Sequence, residues 1–127
     1  MALHGIFGVF KQAGVRSYTV VSRVKRLLRE NGHGSKVKVG HGGTLDEFAQ
    51  GVLVIGIGNG CKRLTSLLSG PKSYRAIGKL GETTDTLDIY GDVIDRKPVP
   101  QSIDEQQFRA VLQQHFRGPS IEQIPPL

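Results

Sequence analysis

The chain has a single cysteine and no tryptophan, and its aromatic residues are three Tyr and five Phe. Cys61 alone cannot close an internal disulfide, which suits a reducing compartment. With no second cysteine and only four scattered histidines, a zinc site is excluded from the reading. No apolar run approaches the roughly 18 residues of a spanning helix. The first residues lack the charged start and long apolar core of a secretory signal, so no membrane and no export is expected. Acidic residues are scarce early: residues 1–79 hold 3 Asp/Glu against 13 Lys/Arg, whereas residues 80–127 hold 8 against 4. A polyanion near the basic portion is physically reasonable, and a soluble basic domain without a nucleic-acid partner is the alternative. At 127 residues and 38% hydrophobic content, global disorder is excluded, and the chain is one domain or part of one, with a modest core.

What is present in quantity is glycine, and it gathers around one acidic residue. Gly40-His41-Gly42-Gly43-Thr44-Leu45-Asp46 is followed by Glu47-Phe48-Ala49-Gln50-Gly51. Glycines allow sharp turns and close approach of a ligand. Before the loop, Lys36-Val37-Lys38-Val39 alternates as a half-exposed strand does. After it, the continuous run Val52–Ile57 fits a strand buried on both faces. Asp46 has two readings from the pattern alone: an N-cap for one helical turn closed by Gly51, or a carboxylate presented for chemistry.

The remaining elements follow from periodicity. Gly5–Phe10 is a short strand, and Lys11–Ser17 is a turn. Thr19–Asn31 is an amphipathic helix with Val20, Val24, Leu27 and Leu28 on one face, Thr19 or Ser17 as cap and Gly32 as stop. Arg23, Lys25, Arg26 and Arg29 lie off that face, either simply solvated or on RNA phosphates. Gly56-Ile57-Gly58-Asn59-Gly60 has neither dinucleotide-fingerprint nor P-loop spacing, so nucleotide binding is set aside. Lys62–Leu68 reads as a short helix, and Lys72–Gly81 as a strand in which Tyr74 is a half-buried aromatic. Glu82–Asp88 reads as a turn held by side-chain-to-backbone hydrogen bonds, with Gly91-Asp92 turning into Val93-Ile94. Ser102-Ile103-Asp104-Glu105 has the form of a capping box opening a helix through Phe116, with Phe108, Val111, Leu112 and Phe116 as its apolar stripe. Gly118-Pro119 ends it.

The string Gly40–Asp46, then Gly51-Val52-Leu53, then Gly58-Asn59-Gly60-Cys61-Lys62, closely resembles the central motif of the TruB family of tRNA pseudouridine synthases, which isomerise the uridine at position 55 in the T loop of tRNA. Lys11, Gly14 and Ser17 match that family's first motif, with Gln12 where the family has Pro; Glu47 also stands where the family often has Pro. The Tyr at 74, Thr84-Asp85-Thr86 and the Gln and Pro near the end match as well. The resemblance implies Asp46 as the catalytic carboxylate, Tyr74 stacked on the target base, His41 on the RNA near the opened position, and Lys62 and Lys11 among the RNA-binding residues. Gly43, Thr44 and Asp85 would be supporting residues. The family's first motif supports the active-site loop rather than performing chemistry.

The reaction breaks N1–C1′ and makes C5–C1′, so it needs no metal and no organic cofactor. The expected fold is α+β: a mixed, mainly antiparallel sheet flanked by helices, pseudouridine synthase-like but incomplete, with the Asp46 loop over a cleft. Residues 1–127 would be the amino-terminal part of the catalytic domain, without the carboxyl-terminal remainder and its Arg that pairs with the aspartate. The expected partner is the tRNA T stem-loop, with other structured RNA as an extension, bound by a monomer in the nucleus, cytoplasm or mitochondrion. The rival expectation is a non-catalytic RNA-binding or RNA-folding fragment of the same fold.

Overall fold

The computed structural model, which describes residues 3–119, divides into two compact units, Met1–Tyr74 and Arg75–Leu127. The first contains β1 (Gly5–Lys11), α1 (Ser17–Glu30), β2 (Val39–His41), β3 (Gly51–Ile57), a 3-10 helix (Gly58–Arg63) and α2 (Leu64–Leu68). The second contains β4 (Glu82–Thr84), β5 (Val93–Arg96) and α3 (Glu105–His115). Both sheets are antiparallel, so the architecture is α+β.

The apolar run after the glycine-rich loop forms β3, the central strand in the order β1-β3-β2. Phe7 faces Ile55 and Val9 faces Leu53 on one side, and His41 faces Ile55 on the other. Leu53, Ile55 and Ile57 alternate, so they share a sheet face. They meet Val20, Val21 and Leu28 of α1, and Val39, in one core. Each such side chain, fully buried, contributes roughly 1.5–3 kcal/mol. The opposite face is covered only in part: an added Cβ at Gly42 would touch Leu64, Leu67 and Val54. Val52 lies beyond that cover and is 72% exposed, so burial on both faces does not extend along the whole strand.

The helix expected at Thr19–Asn31 begins two residues earlier. Neither Ser17 nor Thr19 caps it; the N-cap is Arg16, in extended conformation with no side-chain capping bond. Its end agrees with the sequence: Gly32 has φ 79°, its N–H reaches the Arg29 carbonyl, and the His33 N–H reaches that of Leu28. That pair of bonds is the Schellman arrangement. β2 starts only at Val39, although the Lys38 carbonyl already accepts the Gly58 N–H at 2.8 Å.

Two further expectations are corrected. The strand expected at Lys72–Gly81 does not form, because an extended segment becomes a strand only when a neighbour takes its backbone groups, and β4 and β5 pair with each other. The α3 cap is Asp104, whose carboxylate accepts the Gln107 N–H at 2.7 Å, not Ser102. Asp104-Glu105-Gln106-Gln107 carries the capping pattern in a frame shifted by two, and the Ile103 N–H to Pro100 carbonyl bond keeps Ser102 in a turn. The apolar stripe of α3 is half-exposed, from 42% at Leu112 to 73% at Phe116. The family match near the end of the chain, residues 120–127, lies outside the described residues.

Candidate active site

The loop between β2 and β3 carries Asp46 at its turn. The Ala49 N–H donates to the Asp46 carbonyl at 3.0 Å, so residues 46–49 make one tight turn and not a helix. The N-cap reading of Asp46 therefore falls away: its carboxylate is exposed and has no hydrogen-bond or ion-pair partner among the described residues.

The main chain on either side of that carboxylate is held from the segment between β1 and α1. Ser17 Oγ is buried; it accepts the Leu45 N–H at 3.1 Å and donates to the Leu45 carbonyl at 3.0 Å. The Glu47 carbonyl accepts the Gly14 N–H at 2.7 Å and Lys11 Nζ at 3.3 Å. Arg16 Nε lies 2.9 Å from Glu47 Oε2. Asp46 thus stands between two anchored residues, a geometry that limits where its oxygens travel.

Lys11 is where the structure departs most from the reading. It is fully buried, and Nζ also donates to the Val15 carbonyl at 2.6 Å and the Gln12 carbonyl at 3.1 Å. Three N–H donors meet three carbonyls, so Lys11 is a brace inside the loop and does not face a polyanion. Removing the second brace gives a clean test. Ser17→Ala leaves both Leu45 backbone groups without their partner, and a loss of about 1–3 kcal/mol is expected in urea unfolding. A change under about 0.5 kcal/mol would show that Ser17 does not brace the loop.

His41 leaves β2 toward the same loop. Its Nδ1 lies 2.8 Å from the Gly43 carbonyl; a carbonyl only accepts, so Nδ1 is the donor of this bond. Gly43, at φ 135°, holds a backbone conformation that few side-chain-bearing residues adopt. Thr44 is exposed. Lys62 is exposed on the 3-10 helix, next to exposed Arg63. Tyr74 is 72% exposed, not half-buried, at the end of the first unit. Lys72, two residues before it, lies with its stem 3.9 Å from where a Gly43 Cβ would sit, and its Nζ bonds the Leu68 and Gly70 carbonyls. The chain leading to Tyr74 therefore passes the Asp46 loop, a proximity that residue spacing did not signal.

A cavity of about 750 Å³ lies between β1 and α1, lined by Phe7, Val9, Phe10, Val20 and Leu27 among others; Asp46 is exposed and is not among its walls, so this cavity is not the cleft expected beneath the Asp46 loop. Among the described residues no group of three His, Cys, Asp or Glu is placed to hold a metal ion, and no described helix is long and apolar enough to cross a membrane.

Asp85 belongs to the second unit, where its Oδ1 accepts the Thr86 N–H at 2.8 Å and the Asp92 N–H at 2.9 Å. Asp88 Oδ1 accepts the Thr86 hydroxyl and the Tyr90 N–H, both at 2.8 Å. This is the side-chain-to-backbone turn read from the sequence. The Thr86 hydroxyl, then the Tyr90 N–H, hold the Asp88 carboxyl below its usual range. The hydrogen bond from Lys79 does the same for Glu82. A depressed folded-state pKa gives stability that is present above the unfolded value and lost as pH falls through the folded one. Amide protection at Tyr90, whose N–H is held by Asp88, should accordingly fall below about pH 4, with β3 amides unchanged. Protection at Tyr90 that persists to about pH 2 would show that Asp88 does not hold the turn.

Comparison with known proteins agrees with the motif. The model of the TruB family pseudouridylate synthase (N terminal domain) matches residues 25–127. The pseudouridylate synthase TRUB1 of Mus musculus is 48% identical across 100% of this chain and 40% of its own length. The tRNA pseudouridine synthase B of Heliobacterium mobile is 40% identical across 98% of this chain and 38% of its own. That of Mycobacterium sp. (strain KMS) is 45% identical across 95% and 38%. The chain thus spans about two-fifths of the length of these relatives. A family match over residues 25–127, joined to near-half identity along the entire chain, establishes that this protein belongs to the TruB family.

Proposed function

We propose that residues 1–127 are the amino-terminal part of a tRNA pseudouridine synthase catalytic domain, and that Asp46 is its catalytic carboxylate toward the T-loop uridine at position 55. The observation that carries this is the Asp46 loop itself. An exposed carboxylate without a partner among the described residues sits on a main chain fixed at Leu45 by Ser17 and at Glu47 by Gly14 and Lys11. The names of the relatives, pseudouridylate synthase and tRNA pseudouridine synthase, supply the reaction.

In that reaction the N1–C1′ bond of uridine breaks and a C5–C1′ bond forms within the same atoms. No oxidant, energy source or organic cofactor enters. The carboxylate serves either by covalent attack or by removing a ribose proton. The uridine must first leave its stack, at about a few kcal/mol, and exposed Tyr74 offers a face on which it stacks. His41 and Lys62 face RNA in this reading, Gly43 and Thr44 shape the loop, and Asp85 supports its own turn. The substrate places the protein where tRNA is found, in the cytoplasm, nucleus or mitochondrion.

A second reading, RNA binding without conversion, is favoured by one observation. Arg23, Lys25, Arg26, Arg29 and Lys36 are all exposed, and they attract phosphates whether or not Asp46 reacts. Incubation with a T-stem-loop RNA separates the two. Pseudouridine at the T-loop position supports the synthase; salt-sensitive binding with no pseudouridine supports the second reading; neither one would remove both.

A further inference from the structure

The segment that opens α1 lies against the Asp46 loop and shows solvent two side chains of the kind that hold RNA. Ser17 is buried, and its hydroxyl bonds both main-chain groups of Leu45, the N–H at 3.1 Å and the carbonyl at 3.0 Å. Its neighbours on either side are open: the Arg16 side chain is 79% exposed and Tyr18 is 71% exposed. Consecutive Cα atoms are about 3.8 Å apart. Arg16 and Tyr18 each stand one residue from the contact with Leu45, and Leu45 stands one residue from Asp46.

The guanidinium of Arg16 is oriented. Its Nε donates to Glu47 Oε2 at 2.9 Å. The main chain of Glu47 is itself held, its carbonyl accepting the Gly14 N–H at 2.7 Å and Lys11 Nζ at 3.3 Å. The two terminal amino nitrogens of Arg16 have no hydrogen-bond partner among the described residues, and they form the fork that fits a pair of phosphate oxygens. Tyr18 offers an aromatic face to a base, the other common element of single-strand RNA recognition. The excess of 13 Lys/Arg over 3 Asp/Glu in residues 1–79 suits a polyanion on this unit.

We propose that Arg16 and Tyr18 form an RNA-contact edge beside the Asp46 loop: Arg16 takes a phosphate flanking the target uridine, and Tyr18 stacks on a neighbouring base. This rests on Asp46 receiving the T-loop uridine, and it adds two residues that none of the matched motif positions includes. Ser17, the matched position between them, docks the segment on the loop; its neighbours meet the RNA.

The test measures binding of the full chain to a T-stem-loop RNA across a salt series, together with pseudouridine formation. Arg16→Gln should weaken binding about ten-fold and lower the slope of log Kd against log salt concentration by about 1. Arg16→Lys, which keeps the charge without the fork, should keep the slope and lose part of the affinity. Neutral methylphosphonates at the phosphates on either side of the target uridine should abolish the difference between Arg16→Gln and wild type. Tyr18→Ala should weaken binding about five-fold or more with the slope unchanged, and Tyr18→Phe should bind as the wild type does, because stacking needs the ring and not the hydroxyl. Wild-type affinity in either Arg16→Gln or Tyr18→Ala, a difference that persists on the methylphosphonate RNA, or no RNA binding by the wild-type chain would each overturn the contact. Binding that depends on both residues without any pseudouridine would instead count against the synthase reading and leave the contact standing.

Discussion

If the proposed function holds, Asp46→Asn should abolish pseudouridine formation on T-stem-loop RNA while leaving RNA affinity and folding intact. The rate should fall by about 10⁴-fold or more, the scale seen when a group that reacts directly is removed. Asparagine has the shape of aspartate but cannot attack a sugar carbon or accept a ribose proton at neutral pH. The Asp46 side chain has no partner among the described residues, so nothing in the loop loses a bond, and a stability change within about 0.5 kcal/mol is expected. Affinity should hold or rise slightly, because the substitution removes a negative charge from a surface that, in the proposed function, meets a polyanion. Conversion by Asp46→Asn at near wild-type rate would take the aspartate out of the mechanism. Affinity that collapses together with conversion would show that Asp46 helps to hold the RNA.

The second large effect is on stability and concerns Gly60. The 3-10 helix crosses so closely over the start of β1 that a Cβ at Gly60 would run into the Gly5 carbonyl oxygen and carbon. Both groups are backbone, so neither can turn aside as a side chain would. Gly60→Ala must push the helix off the sheet, and the loss should exceed about 3 kcal/mol. For a unit of this size that corresponds to a Tm about 12 °C lower or more. Gly5→Ala is the control: a Cβ at Gly5 meets nothing within 4 Å, so it should change Tm little. If Gly60→Ala melted with the wild type, the close crossing would not exist in solution.

The same contact explains a motif that the sequence left ambiguous. Gly56, Gly58 and Gly60 look like a phosphate-binding loop with wrong spacing. In the fold, Gly56 lies against the backbone of Cys61, Gly58 has φ 54° and packs on His4, and Gly60 sits on Gly5. Their smallness serves contact between segments of the chain, and no room for a nucleotide is implied. Here the glycines were legible as close approach, but what approaches Gly58 and Gly60 was not, because His4 and Gly5 lie about 55 positions away in sequence.

Local periodicity determined a good deal by itself. An apolar stripe over Val20, Val24 and Leu28 with Gly32 behind it can hardly be other than a helix with its stop, and Val52–Ile57 can hardly be other than a core strand. The pattern of residues 40–46 left Asp46 open between an N-cap and a carboxylate for chemistry, and only the resemblance to the TruB motif pointed to the second. Wherever an outcome depended on a distant partner, only the tertiary structure decided it. Lys11 is as plausible on RNA as in a core until the Val15 and Glu47 carbonyls close around it. Ser17 is a better cap by rule than by fact, because Leu45, 28 residues on, takes its hydroxyl. Residues 71–79 have the composition of a strand and no neighbour to complete one. The reason is the same in each case: a helix satisfies its backbone within a few residues, so spacing reveals it, whereas a buried polar group or an extended segment takes its identity from whatever the fold brings beside it.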